Sequence, residues 1–91
     1  MQFEWDTDKA FQNVNKHDVT FAEATEVFYD IFSDTADDPD HSSTEDRYVI
    51  LGMMRKMRLL YISFTERSDI IRIISAREAT RNERKLYEDE L

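Results

Sequence analysis

The 91-residue sequence contains no cysteine, one glycine (Gly52) and one proline (Pro39). Without cysteine there is no disulfide framework, zinc knuckle or thiol nucleophile, which fits a reducing compartment. With so little glycine and proline, little of the chain can serve as flexible linker. No apolar run approaches the roughly 18 residues that a membrane span requires. The opening Met-Gln-Phe-Glu-Trp-Asp is acidic where a signal peptide is basic. A soluble, cytoplasmic chain is therefore expected, with no membrane partner. Histidine is scarce too, limited to His17 and His41. One domain over residues 1–91 is the natural reading, since a chain this short supports a single core.

Charge is what the sequence has in excess. Its net charge is −8, with 20 Asp and Glu against 12 Lys and Arg. Phosphate binding depends on Lys and Arg releasing counterions, so the total argues at first against nucleic acid. The distribution is uneven. Residues 1–46 carry thirteen acidic groups against Lys9 and Lys16, a net of −11, whereas residues 47–91 carry a net of +3 with eight arginines. Arginine presents a planar fork suited to bidentate phosphate contacts. A solvated face is the plain alternative for the same arginines.

Alternating Phe3 and Trp5 suggest a short first strand. Asp6 or Thr7 can then cap a helix through about His17, with Ala10, Phe11 and Val14 at helical spacing. Thr20-x-x-Glu23 reads as a capping box opening a second helix, whose apolar face would be Phe21, Ala24, Val27 or Phe28, and Ile31. A polar interval follows over Ser33–Asp46, with a short edge strand near Ile31–Thr35. Three runs rich in β-branched and aromatic residues, Tyr48–Met53, Leu59–Thr65 and Ile70–Ser75, read as strands. Their connections are too short for parallel crossovers, so hairpins are expected. A last helix has two candidate starts, Ser75-x-x-Glu78 and Thr80-x-x-Glu83. The order predicts an α+β fold: a small antiparallel sheet of three to five strands, with two N-terminal helices and one C-terminal helix on one face.

Three places invite chemistry. Asp37-Asp-Pro-Asp40-His41 lacks the alternate ligands, central glycine and distal glutamate of a calcium loop, and a solvated turn is the better reading. No metal or other cofactor is expected. His17 follows Lys16 at the end of the first helix, where the helix dipole favours a cation. It is also a candidate proton-transfer group, because an imidazole ordinarily titrates near neutrality. The third is Thr65-Glu66-Arg67 followed by Arg72 and Arg77, with Arg81 and Arg84 beyond. These are expected to converge at one end of the sheet. Metal-free RNA cleavage needs a base for the 2′-hydroxyl, cations for the phosphate and an acid for the leaving oxygen.

Taken in order, these residues resemble the BrnT family of bacterial type II toxins. The similar segments are Phe3-Glu-Trp-Asp6 with Lys9 and Asn13, Lys16-His-Asp-Val-Thr-Phe-Ala-Glu-Ala24, and Arg47 before a strand ending in Gly52. Thr65-Glu-Arg67 and Arg72-Ile-Ile-Ser-Ala-Arg77-Glu-Ala-Thr80 follow, then Glu83-Arg84 and Tyr87. Asp18 stands where the family usually has glycine, and the acidity departs from commonly neutral or basic ribonuclease toxins. The resemblance implies a RelE-like fold, RNA cleavage that halts translation, and a ribbon-helix-helix antitoxin in a 2:2 complex that contacts operator DNA. It implies a cleft built from Lys16, His17, Glu66, Arg72 and Arg77. On this reading His17, Glu66, Arg72 and Arg77 are the catalytic candidates. Lys16, Arg47, Arg81 and Arg84 are the candidates for binding RNA. The competing reading is a catalytically silent module that keeps the fold and acts only in a regulatory complex.

Overall fold

Each described helix starts at a side-chain cap. The structure, a computed structural model, describes residues 1–40 and 46–91, so His41 lies outside the described residues. Strand β1 (Gln2–Glu4) leads into α1 (Thr7–His17), where Asp6 accepts the Lys9 N–H at 3.0 Å. Asp18 ends α1 in the left-handed region, with φ 57° and ψ 37°, and its N–H returns to the Val14 carbonyl. A short polar side chain tolerates that conformation better than most, so aspartate serves here in place of glycine. The second helix, α2 (Phe21–Val27), carries the full Thr20/Glu23 capping box. Then come β2 (Asp34–Asp37), β3 (Tyr48–Met53), β4 (Leu59–Arg67), β5 (Ile70–Glu78) and α3 (Arg81–Asp89). The alternative helix start at Ser75 is not used, because Ser75 lies inside β5 and Thr80 is the cap.

The sheet order is β1-β5-β4-β3-β2. Four strands form the expected antiparallel meander, but β1 pairs with β5 in parallel, Phe3 opposite Ile71, which makes the sheet mixed. The chain between them, which runs through α1, α2 and then β2, β3 and β4, is long enough for a parallel pair. Ser68 and Asp69, both with positive φ, turn the β4–β5 hairpin. The edge strand falls at Asp34–Asp37, three residues later than expected.

Helices cover both faces, which corrects the expectation of one. Val19, Phe21, Ala24 and Val27 are buried against Ile50, Leu60, Ile62, Phe64 and Ile73 on one face. A smaller cluster of Leu51, Leu59 and Tyr87 places α3 on the other. Two apolar faces also differ from expectation. Helix α1 turns Ala10, Asn13 and His17 inward and leaves Phe11 exposed, while Ile31 lies beyond α2 and is 87% exposed.

Candidate functional site

The cleft lies where the end of α1 meets the middle of β4 and β5. Position 13 creates this junction. Strand β1 pairs with β5 only through Arg72, so the backbone of β5 beyond that point has an open edge. The buried Asn13 amide fills it: Nδ2 donates to the Ala76 carbonyl at 2.8 Å, and Oδ1 accepts the Ala76 N–H at 3.0 Å. The same Nδ2 donates to the Val19 carbonyl at 2.9 Å. Lys16 and His17, one turn further along α1, are thereby set beside Ser75 and Arg77.

An irregularity in β5 decides which side chains face this cleft. Thr65 lies opposite Arg72, Ser63 opposite Ser75, and Tyr61 opposite Arg77, with Ile74 as an extra residue. Arg72 and Arg77 are an odd number of residues apart, so strict alternation would place them on opposite faces. The bulge puts Arg72, Ser75 and Arg77 on the same face.

The resulting cleft encloses about 330 Å³ between Lys16, His17 and Arg77 on one side and Asp38, Asp40 and Ser63 on the other, with Tyr61 and Ser75 between. Arg77 lies over the Tyr61 ring, 4.2 Å from its centroid. It bonds Glu83 bidentately at 2.8 and 2.9 Å. That bond, outweighing burial, keeps the guanidinium more firmly protonated than usual and holds the Glu83 carboxyl below its ordinary range. Burial, then the Asp38 charge, pushes the Tyr61 phenol up. Asp38 accepts the Ser63 hydroxyl at 3.3 Å. Among the described residues, no group of three or more His, Asp or Glu is arranged to hold a metal ion.

The expected convergence of arginines divides. Lys16, His17 and Arg77 share the cleft. Glu66 is exposed on β4 and alternates to the face opposite Tyr61 and Ser63. Arg72 bonds Glu4 at 2.9 Å and sits four β4 residues from the Arg77 row, roughly 14 Å at strand rise. Arg47 precedes β3, its Nε buried without a hydrogen-bond partner among the described residues. Arg81 and Arg84 are exposed on α3 and do not line the cleft. Sequence reasoning missed the work of Asn13, Tyr61 and Glu83. A polar residue on the stripe between Ala10 and His17 was the only local sign of the first.

A family model for BrnT, a ribonuclease toxin of type II toxin–antitoxin systems, matches residues 5–83. The chain belongs to the BrnT family. The crystal structure of the Brucella abortus ribonuclease toxin BrnT is similar to it, with a TM-score of 0.68 and 20% identity. That alignment covers 89% of this chain and 99% of the Brucella one. No curated protein sequence matches significantly. The chain shares that fold, which among its described residues is an α+β arrangement of three helices and a five-stranded mixed sheet. Among the described residues, no helix is long and apolar enough to cross a membrane.

Proposed function

We propose that this BrnT-family chain is a cytoplasmic endoribonuclease that cuts RNA without a metal ion and so halts translation. The observation that carries the reading is the meeting of His17, Lys16 and Arg77 in one cleft. His17 removes the proton from a ribose 2′-hydroxyl as its oxygen attacks the adjacent phosphorus. Arg77 holds the phosphate oxygens as charge accumulates on them. The bond to the 5′-oxygen breaks, and that oxygen leaves with a proton from Lys16. The products are a 2′,3′-cyclic phosphate and a free 5′-hydroxyl. Glu66 and Arg72, outside the cleft, take no part in this step.

The same reading assigns a ribbon-helix-helix antitoxin, in a 2:2 complex that meets operator DNA only through the antitoxin. An acidic or apolar antitoxin segment over Arg77 suits a guanidinium that binds carboxylate as readily as phosphate. A complex that sediments at another stoichiometry would overturn that part.

The test is cleavage by the purified chain in excess EDTA, on an RNA and on its 2′-deoxy counterpart. Cleavage of the RNA alone, with a cyclic phosphate at the new end, is expected. A requirement for added Mg²⁺, or equal cutting of DNA, which lacks the 2′-hydroxyl, would overturn the mechanism. Asp38 and Asp40 inside the cleft favour the second reading, a silent module, since they repel phosphate. Unimpaired growth on inducing the soluble, folded chain alone would favour that module.

A further inference from the structure

Arg77 carries five N–H hydrogens in a rigid planar fork. Three are committed within the chain. Nη1 donates to Glu83 Oε1 at 2.8 Å and to the Glu78 carbonyl at 3.1 Å, and Nη2 donates to Glu83 Oε2 at 2.9 Å. One face of the guanidinium lies over Tyr61. The remaining hydrogens, on Nε and Nη2, lie side by side along one edge. Among the described residues neither has an acceptor, and Nε is not sealed from solvent. Two parallel N–H bonds from such an edge match two oxygens of a phosphate.

Glu83 is itself fixed. It is the third residue of α3 and completes the capping box, with Oε1 accepting the Thr80 N–H at 2.9 Å. Its carboxylate therefore has a position set by the start of the helix, independent of any ligand.

We infer that Glu83 is a positioning residue. It grips Arg77 by its end-on edge so that the Nε–Nη2 edge is presented to the scissile phosphate. This rests on the proposed cleavage reaction. The opposite role for the same contact is a brake, in which the carboxylate neutralises Arg77 and competes with phosphate. The two differ in the sign of their effect on turnover.

Glu83→Gln separates them. Glutamine at this place keeps the capping box, since its carbonyl accepts the Thr80 N–H. Its amide then meets Nη2 donor to donor, so the bidentate grip on Arg77 is reduced to the single Nη1 bond to the carbonyl oxygen. On a short RNA, kcat should fall tenfold or more, with KM unchanged or lower because one negative charge has left the cleft's surroundings. A kcat equal to or above that of the parent overturns the inference. Glu83→Asp keeps the charge but shortens the reach, so kcat should fall here as well; a parent-like kcat would leave only a charge effect. Thermal melting within a few degrees of the parent establishes that both variants are folded. A readout independent of turnover is the Arg77 Nε–H signal in ¹⁵N-edited spectra, titrated with a 2′-deoxy dinucleotide. It should move in the parent and not in Glu83→Gln, and equal movement in both would overturn the inference. Arg77→Ala distinguishes the two levels of argument. If it cleaves RNA like the parent, the proposed reaction itself is wrong; if it is inactive while Glu83→Gln is parent-like, only the positioning role fails.

Discussion

The side chain of Asn13 pairs with the backbone of Ala76 as a neighbouring strand would, giving one hydrogen bond and accepting another. It thereby extends the edge of β5 past the end of β1 and fastens α1 to the sheet. Removing it orphans the buried N–H and C=O of Ala76 and the carbonyl of Val19. An unsatisfied buried group costs about 1–3 kcal/mol. Asn13→Ala should lower unfolding free energy by about 2–4 kcal/mol in urea titrations. Cleavage should fall further than stability alone explains, because Lys16 and His17 lose their placement. A loss below about 1 kcal/mol would mean that water replaces the amide.

The division of the arginines separates two sets of variants. His17→Ala should reduce RNA cleavage by about 10²–10⁴, the usual range for a lost general base. Glu66→Ala and Arg72→Ala should stay close to the parent. The Arg72–Glu4 pair is nearly half exposed on both sides, so its loss should change stability by no more than about 1 kcal/mol. Inactivity of Glu66→Ala with retained activity of His17→Ala would transfer the role of base to Glu66.

Gly52 is required for space rather than for backbone freedom. A Cβ there would lie 2.7 Å from Val27 Cγ1, 3.0 Å from Ser33 Cβ and 3.2 Å from Asp30 Oδ2. Gly52→Ala should destabilise the chain by about 1–3 kcal/mol, the usual cost of overpacking a core. An unchanged midpoint in denaturant would show that β3 and α2 can separate freely at this point.

Asp30 and Tyr87 form a pH-dependent tie between the two faces of the sheet. The Tyr87 hydroxyl donates to Asp30 Oδ2 at 2.6 Å, and the same carboxylate accepts the N–H groups of Met53 and Phe32. Burial, reinforced by the Asp30 bond, pushes the Tyr87 phenol up to about 12. Burial alone would raise the Asp30 carboxyl, but its three donors outweigh that and hold it below its ordinary value. The tyrosine contribution is whole below about pH 10 and disappears as pH climbs towards 12. The aspartate contribution is whole above about pH 4 and is lost as acid protonates it. Tyr87→Phe should lower stability near neutrality by about 1.5–3 kcal/mol and flatten the alkaline limb of the stability curve. An alkaline limb unchanged in Tyr87→Phe would assign it to another group.

Much of the local structure was legible in the sequence because its signals act over three or four residues. Thr20 with Glu23 and Thr80 with Glu83 start helices in the structure as their spacing predicts. The three β-branched runs became the central strands, short connections made them antiparallel, and Lys16 and His17 ended the first helix. Pairings across dozens of residues carried no such mark. The parallel joining of β1 to β5 and the covering of the second face by Tyr87 follow from where apolar surface could be buried together. The bulge at Ile74 decided the site: one extra residue reversed the facing of Ser75 and Arg77, while the amide of Asn13, 63 residues before Ala76, brought His17 to meet them. Tertiary packing decided that grouping, because a side chain's direction depends on the register of its strand and not on its own identity.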